Sequence, residues 1–382
     1  MLRDIDDLLG RDLDRRIGRR GLLKGGAGLA LGIGLAGCGV GSGNDASKED
    51  TQKAIKKKVD GDLVYFNWAE YIDPALLKKF EKRYGVKVRE SNFDSMPSMM
   101  AKLRAGIAYD VIFPSAEFAQ RLIEGNQLLR IDRDKLANTD LVYTQFDQPW
   151  YDKGSAHTTP YTMYATGLGY RADKVSGMTG SWRDLGEADS GGKNFMLDDF
   201  QEGIGMANLV NGFELNTTDT DELAQSTDYL LDLKPALRGL SSDTITSMTS
   251  GNAWIQHLWN GDIVNIRNQV DDPENYKFQK NEEGIPVGSD TFAIPVNAKH
   301  PGTALLFIEF MLEPDNAAQN VEWIGYPMPY EEGATEAFAG LVKTDPEINV
   351  TVEDLDNGQE FENLRAEGRV AWDKAWTEFK AS

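Results

Sequence analysis

The sequence predicts an α/β fold built from parallel strands and covering helices. Short apolar runs typical of buried strands alternate with longer amphipathic runs typical of helices, and Gly and Pro residues lie at the boundaries between them. Of the 382 residues, 41% are hydrophobic and 10% aromatic, which is enough for a substantial core. Some 320 ordered residues favour two domains.

The alternation begins at Asp62. Residues 63–66 are predicted as a strand, and Asp73 and Pro74 supply an N-cap and a first-turn proline for a helix that ends at Gly85. A strand at 86–88, a helix at 95–105 and a strand at 110–113 follow. Three strands separated by helices are typical of a parallel sheet.

The same pattern resumes beyond Pro160. An extended segment covers 164–170. The next predicted elements are a strand at 194–197, a helix at 202–210, a strand at 253–259, a helix from 261, a β run at 291–296 and a helix at 303–312. Periodicity alone leaves open which segments return to which domain.

The N-terminus predicts an export signal. Residues 19–24, Arg-Arg-Gly-Leu-Leu-Lys, resemble a twin-arginine signal, and residues 35–38, Leu-Ala-Gly-Cys, resemble the lipobox of bacterial lipoproteins. The apolar stretch between them is too short to span a bilayer. We therefore expect residues 1–37 to be a signal peptide, Cys38 to be lipidated, and 38–61 to form a flexible tether. The alternative is a chance resemblance and an inert buried cysteine.

Charge restricts the partners. The whole chain carries 40 Lys+Arg and 61 Asp+Glu, a net charge of −21. Removing residues 1–37 removes 7 basic and 5 acidic residues, which leaves 33 and 56, or −23. The electrostatic field of this net negative charge disfavours the binding of nucleic acid and anionic lipid and attracts cations. Cys38 is the only cysteine, so no disulfide can form within the chain.

No catalytic or cofactor pattern is present in the sequence. The three histidines, His157, His257 and His300, lack a metal-ligand partner at short spacing. A nucleophile elbow and a phosphate-binding glycine loop are both missing. The sequence thus predicts a protein that is not an enzyme, with no cofactor and no bound metal.

Aromatic residues recur beside carboxylates at the ends of predicted strands. Three of these clusters follow predicted strands: residues 68–71 (Trp-Ala-Glu-Tyr), Asp198 and Asp199 with Glu202, and residues 259–262 (Trp-Asn-Gly-Asp). The fourth, residues 288–290 (Gly-Ser-Asp), precedes the predicted β run at 291–296. Ligands of parallel α/β sheets bind beyond the carboxyl ends of strands. Carboxylates neutralise ammonium groups, and aromatic faces attract cations. Taken singly, each Asp could equally be an N-cap and each Trp a core residue. Taken together, the clusters suit the binding of an elongated polycation.

Seven motifs carry a resemblance to a known family. They are Asn67-Trp68-x-Glu70-Tyr71-Ile72, Tyr109-Asp110-Val111-Ile112-x-Pro114-Ser115, Ser181-Trp182-x-x-Leu185, Leu197-Asp198-Asp199-x-x-Glu202, Trp259-Asn260-Gly261, Asp290-x-x-Ala293-Ile294-Pro295 and Ile324-Gly325-Tyr326-Pro327. In this order they resemble the spermidine/putrescine substrate-binding proteins of ABC importers.

The resemblance implies a two-lobed periplasmic-binding-protein fold of type II, with lobes that close over the ligand. Lobe 1 would comprise residues 62–165 and 292–330, and lobe 2 residues 166–291. The C-terminal helical segment, 331–382, would pack on the lobes. We expect a monomer that delivers a polyamine to an ABC permease with its ATPase, and that touches the membrane only through its lipid anchor.

The resemblance also implies roles for individual residues. Trp68, Tyr71, Trp259 and Tyr326 would cover the carbon chain of the ligand, and Ser115 would add a polar contact. Asp199, Glu202 and Asp290 would receive ammonium groups, and Glu70 and Asp262 match acidic positions of the putrescine-preferring branch.

Two positions depart from the family pattern. Gly288 stands where spermidine binders have an aromatic residue, and Glu117 stands where they have a tyrosine. These departures leave the preferred polyamine open. The alternatives are a carrier for another solute, such as thiamine, an amino-acid derivative or a sugar, and an exported hydrolase that uses carboxylates such as Asp199 and Glu202.

Overall fold

A mixed ten-stranded sheet forms the framework of the computed structural model, which describes residues 55–331 and 349–382. The described strands are β1 (Leu63–Trp68), β2 (Val88–Phe93), β3 (Val111–Ile112), β4 (Thr158–Arg171), β5 (Asn194–Met196), β6 (Gly239–Leu240), β7 (Ile255–Trp259), β8 (Tyr276–Gln279), β9 (Pro286–Ala293) and β10 (Gln359–Glu360).

Helices cover this sheet. The described α-helices are α1 (Pro74–Tyr84), α2 (Met96–Arg104), α3 (Ala116–Glu124), α4 (Asp184–Glu187), α5 (Phe200–Val210), α6 (Thr220–Leu233), α7 (Thr244–Thr249), α8 (Asn260–Gln269), α9 (Pro301–Met311), α10 (Pro314–Ile324), α11 (Val352–Asn357) and α12 (Ala366–Ala381). The α/β prediction is confirmed.

The strand order is β2-β1-β3-β9-β4-β7-β5-β6, with β10 beside β9 and β8 beside β4. β1 is parallel to β2 and β3, and β5 is parallel to β6 and β7, as the sequence predicted. The centre differs, because β9 runs antiparallel to β3 and β4, and β4 runs antiparallel to β7 and β8. The purely parallel prediction is therefore wrong at the two strands that carry the chain between the halves.

β4 joins the two halves of the sheet. Its first part, up to Ala165, pairs with β9, and from Thr166 onward it pairs with β7 and β8. The lobe boundary predicted at 291/292 falls inside β9, which starts at Pro286.

Local sequence signals set several element ends. Asp73 caps α1 through a bond from Ala75 N, and Gly85 ends it in the left-handed conformation at φ 68°. α5 begins at Phe200, two residues earlier than predicted, because Asp199 caps it. β2 runs from Val88 to Phe93, whereas the prediction was a strand at 86–88. The prediction missed the later residues because most of them are polar, and an edge strand tolerates polar side chains.

The two ends of the described chain are held on the fold. Asp60 accepts hydrogen bonds from Gly302 N and Thr303 N at the start of α9. Residues 55–61, expected in the tether, therefore contact the folded domain. At the other end, α12 packs on α5 and α6, and Trp372 Nε1 donates to Thr217 O.

The core consists of aromatic and aliphatic side chains on both sheet faces. Phe113, Trp182, Phe292 and Phe307 are fully buried within it. No helix of the described ranges is both long and apolar enough to cross a membrane. The predicted signal sequence and Cys38 lie outside the described residues.

Candidate functional site

Aromatic residues and carboxyl groups from both halves of the sheet meet around the centre of β4. Trp68 ends β1 in the first half, and Trp259 ends β7 in the second. Their ring centroids lie 6.3 Å apart at an interplanar angle of 52°. Both tryptophans lie at the carboxyl ends of their strands, where parallel α/β sheets bind ligands.

Asp290 lies within β9 and is 5% exposed. Tyr71 Oη donates to its Oδ2 at 2.9 Å and lies 2.7 Å from Thr162 Oγ1. Burial raises the pKa of Asp290 to about 7, against the opposing effect of the Tyr71 bond. The expectation that Asp290 precedes the strand is wrong, because the ladder with β4 extends from Val287 to Ala293.

Asp262 lies in the first turn of α8 and is also buried. Tyr326 Oη donates to its Oδ1 and Thr244 Oγ1 to its Oδ2, each at 2.6 Å. The Tyr326 ring packs directly on Gly261, where a side chain would collide with it. Burial raises the pKa of Asp262 to about 6. Tyr326 meets Tyr71 edge to face at 5.3 Å, which connects Asp262 with Asp290.

Glu202 lies in the first turn of α5, with 4% exposure. Its Oε1 accepts from Trp259 Nε1 at 2.8 Å and from Thr166 Oγ1 at 3.0 Å, whereas its Oε2 has no hydrogen-bond partner. Burial, followed by the charge of Asp199, raises the pKa of Glu202 to about 8. His257 Nε2 lies 4.0 Å away, and burial lowers the pKa of this histidine to about 3, so it is neutral.

Ser115 and Glu117 form a fourth polar group at the start of α3. Ser115 Oγ donates to Glu117 Oε1 at 2.8 Å, and the Ser115 backbone bridges to Asp290. Glu117 is 4% exposed, and its burial raises its pKa to about 7. Glu117, one of the two departures, therefore lies beside Asp290.

The other departure, Gly288, is explained by its partner in the sheet. Gly288 lies opposite Tyr164 in the ladder between β9 and β4. A Cβ atom at Gly288 would lie 2.5 Å from Tyr164 Oη and 2.6 Å from its Cζ. The Tyr164 ring thus occupies the space above Gly288, so the aromatic ring that β9 lacks comes from β4.

Two predicted site residues lie apart from these contacts. Glu70 is exposed and has a backbone φ of 56°. Asp199 Oδ1 accepts from Gln201 N and Glu202 N, so this carboxylate is the N-cap of α5. Asp199 also lines an open cleft with Asp198 and Lys380. The structure brings together the other eight predicted residues.

Sequence analysis missed the polar face of β4. Thr162, Tyr164 and Thr166 occupy alternate positions of one strand and therefore project from the same face of the sheet. That alternation was visible in the sequence, inside a run that is otherwise largely apolar. Thr244, which donates to Asp262, gave no comparable signal.

Four carboxyl groups, those of Glu117, Glu202, Asp262 and Asp290, are thus buried beside aromatic rings. Within the described chain none of the four forms an ion pair with a lysine or arginine. The same ranges contain no group of three His, Cys, Asp or Glu placed to hold a metal ion. Ionising these carboxyl groups together requires positive charge that the described chain does not supply.

Residues 75–350 match the family of bacterial extracellular solute-binding proteins. The spermidine/putrescine-binding periplasmic protein of Escherichia coli is 32% identical over 302 residues, covering 78% of this chain and 85% of that protein. A counterpart in Haemophilus influenzae is 33% identical over 321 residues, covering 81% of this chain and 86% of that protein.

Solved structures agree with this relationship. The TpPotD lipoprotein of Treponema pallidum is 26% identical, has a TM-score of 0.73, and covers 83% of this chain and 98% of its own. The PotD substrate-binding protein of Streptococcus pneumoniae is 25% identical, has a TM-score of 0.67, and covers 84% and 99%. With the fold and the sequence matches in agreement, the chain belongs to the bacterial extracellular solute-binding proteins and has their two-lobed periplasmic-binding-protein fold.

Proposed function

We propose that this protein is an exported, lipid-anchored polyamine-binding component of an ABC importer. It binds putrescine or spermidine and delivers the ligand to a permease driven by a separate ATPase. It performs no covalent chemistry. The names of its relatives in Escherichia coli and Haemophilus influenzae support this ligand class.

The observation that carries the proposal is the set of four buried carboxyl groups without a basic partner. A buried carboxylate is stable only when a cation or several hydrogen bonds offset its lost hydration. Amino groups of a polyamine provide both, because each ammonium group is a cation with several N–H donors. A neutral solute can donate hydrogen bonds but supplies no positive charge.

The aromatic residues fit the rest of such a ligand. The methylene groups between the nitrogens of a polyamine are best packed against apolar surface. The rings of Trp68 and Trp259 provide such surface from opposite halves of the sheet. The same faces attract cations by about 0.5 to 2 kcal/mol each. Tyr71 and Tyr326 donate their hydroxyl groups to Asp290 and Asp262, so they contribute more through hydrogen bonds than through packing against the carbon chain of the ligand.

The origin of the site residues supports lobe closure. Asp290 and Tyr71 belong to the first half of the sheet, and Glu202 and Trp259 belong to the second. A ligand that contacts both halves binds the closed form more tightly than the open form and shifts the population towards it.

The alternative as a hydrolase has less support. Paired carboxylates for glycoside cleavage must both face the substrate. Asp199 uses Oδ1 to cap α5, and Glu202 Oε1 is bonded to Trp259 and Thr166. Turnover of a ligand would favour the hydrolase, since a binding protein returns its ligand unchanged.

A thermal-shift screen of the purified domain tests the proposal. The panel contains putrescine, spermidine, thiamine and sugars. A ligand that binds only the native state stabilises it by RT ln(1 + [L]/Kd), about 2.7 kcal/mol at a hundred times Kd. We expect polyamines alone to raise the melting temperature. A shift with a sugar or thiamine, and none with a polyamine, would reject the proposed ligand class.

A further inference from the structure

The amino-terminal end of the described chain is fixed on the first half of the sheet, at the start of α9. Asp60 accepts hydrogen bonds from Gly302 N at 3.0 Å and Thr303 N at 2.9 Å, two N–H groups that the first turn of a helix leaves without a partner. A Cβ atom at Gly302 would lie 2.8 Å from the carbonyl oxygen of Lys56 and 2.7 Å from that of Lys58. This segment therefore crosses the start of α9 in close contact.

The start of α9 lies at the amino ends of the parallel strands β1 and β3. Asp110, which directly precedes β3, accepts a hydrogen bond from Val64 N of β1 at 2.9 Å. The other oxygen of Asp110 accepts from Lys299 N at 2.9 Å and His300 N at 2.7 Å, just before α9. Because Trp68 marks the carboxyl end of β1, this edge lies one strand length, about 17 Å, from the candidate ligand site.

Exposed basic residues collect on this edge, which we call the amino-end face. They are Lys56, Lys58, Lys87, Arg104 and Lys299. Within the described ranges none of the five forms an ion pair, whereas Lys57 pairs with Glu309 and Arg89 lies 4.0 Å from Asp62. The two aspartates that bond to the start of α9 offset only part of this charge. The amino-end face is therefore locally positive on a chain whose net charge is −21.

Two large apolar side chains are exposed on the same face. Val59 is 47% exposed and Ile107 is 45% exposed. Ile107 O accepts a hydrogen bond from Asn297 Nδ2 at 3.2 Å, which places Ile107 beside the residues that lead into α9. Basic side chains interspersed with exposed apolar ones are typical of protein surfaces that lie on a membrane.

Salt screening separates the effect of this face from that of the net charge. At physiological ionic strength the Debye length is about 8 Å, so a membrane surface interacts mainly with the side chains nearest to it. Residues 39–54 join Cys38 to the described chain and can span no more than about 55 Å. A lipid anchor at Cys38 keeps the face within that distance, where a contact too weak to recruit a free protein can form.

We propose that the amino-end face rests on anionic lipid head groups of the membrane that carries the anchor, whenever the protein is not docked on its permease. This inference rests on the proposed function, because the anchor is part of it. The same head groups repel the acidic remainder of the surface, so the contact selects one orientation. The ligand site, at the opposite edge of the first half, then faces away from the membrane.

Energy transfer from a dye on the protein to acceptor lipids tests this inference in the full-length lipoprotein inserted into vesicles. With Cys38 acylated, Ile107→Cys and Val370→Cys each provide one labelling site, and Val370 lies on α12 with 67% exposure. In vesicles that contain phosphatidylglycerol, the dye at position 107 should transfer more energy than the dye at position 370. The difference should disappear in phosphatidylcholine alone and at about 1 M salt, where the Debye length falls to about 3 Å.

The triple variant Lys56→Gln, Lys58→Gln and Lys299→Gln removes three charges of the amino-end face. The ratio of membrane-docked to free orientations, obtained from the transfer efficiencies, should fall roughly a hundredfold, which is about fivefold for each lysine. Putrescine affinity should stay at the wild-type value, because these lysines lie far from the ligand site. Ligand-free melting curves check that the variant folds.

The matched control is the triple variant Lys153→Gln, Arg238→Gln and Lys374→Gln. It removes three exposed basic residues from other parts of the surface, so the change in net charge is the same. This control should keep the wild-type difference in transfer between positions 107 and 370.

Three results would overturn the inference. Equal transfer from the two positions, or more from position 370, would mean that the amino-end face does not rest on the membrane. A docked ratio in the lysine triple variant equal to that of wild type would mean that these lysines do not make the contact. Absence of acyl chains from Cys38 would remove the anchor and this inference together, whereas titration of putrescine, which needs no membrane, would still decide the polyamine part of the proposed function.

Discussion

The carboxyl groups of the site differ from the carboxylates around Arg171. Arg171 bonds to Asp173 at 2.8 and 3.0 Å and to Asp272 at 2.8 Å, and these bonds hold the pKa of Asp173 well below its usual range. At Asp290 and Glu202, burial without a basic partner raises the pKa instead. The acids around Arg171 are paired with a base and those of the site are not, which is the difference expected of a receptor for cations.

The largest expected effect is that of Asp290→Asn. Asparagine keeps the shape of the side chain but removes the charge that offsets a desolvated ammonium group, so polyamine binding should weaken by about 2 to 5 kcal/mol. Ligand-free stability should hold or rise, because a buried acid without a basic partner is electrostatically unfavourable. Calorimetric titration and ligand-free melting curves measure the two quantities.

Asp173→Asn is the matched control. It removes an acid that already has its cation, so polyamine affinity should stay at the wild-type value while ligand-free stability falls slightly. If Asp290 were merely structural, Asp290→Asn would behave like this control.

The next effect concerns pH. Folding raises the pKa of Asp262 to about 6, of Glu117 and Asp290 to about 7 and of Glu202 to about 8. An acid with a raised pKa binds its proton more tightly when folded, so its contribution to stability is present at low pH and is lost as pH rises through the folded value.

Melting curves of the ligand-free protein should therefore show less stability at about pH 8.5 than at about pH 5.5. Polyamine affinity should change in the opposite direction, because the carboxyl groups must ionise to bind cations. Subtracting the profile of stability against pH of Asp290→Asn from that of wild type isolates the contribution of Asp290. If the site carboxyl groups made the ligand-free protein more stable as pH rose, this result would contradict the raised pKa values.

A smaller effect is expected from Trp259→Phe. Phenylalanine keeps an aromatic face but removes the N–H group that donates to Glu202, so polyamine affinity should fall by about 1 kcal/mol. Trp254→Phe, whose ring lies beside Lys193, should not change the affinity. A loss in Trp259→Phe as large as that of Asp290→Asn would mean that Trp259 organises the whole site.

No effect on affinity is expected from Cys38→Ala, which we predict to release the protein from the membrane fraction while leaving the domain competent to bind. Retention of this variant in the membrane at wild-type levels would refute the lipobox interpretation. Replacing Arg19 and Arg20 with lysine should block export, and normal export would indicate another route.

Sequence analysis predicted local features well and long-range ones less well. The cap at Asp73 and the left-handed Gly85 are local, so α1 was predicted correctly. The antiparallel pairing of β4 with β9 joins residues more than a hundred positions apart, and no local pattern reports it. The assignment of Asp199 to the ligand comes from a motif position that resembles a binding residue and stays a prediction; the structure adds that its Oδ1 caps α5.

The role of Tyr164 shows the same limit. Gly288 indicated that the aromatic ring of the family pattern is missing at this position of β9. Only the register between β4 and β9 shows that the Tyr164 ring occupies the space above Gly288. The burial of Glu117 likewise depends on the contact of α3 with β9, which brings Ser115 to Asp290.

The central claim is that the buried carboxyl groups bind the positive charge of the ligand. Calorimetric titration of putrescine and of its neutral analogue 1,4-butanediol into the wild-type protein tests it most directly, since the two molecules share a carbon chain and differ in their end groups. We predict saturable binding of putrescine, weakened by salt, and no detectable binding of the diol. Comparable affinities for the diamine and the diol would contradict the account.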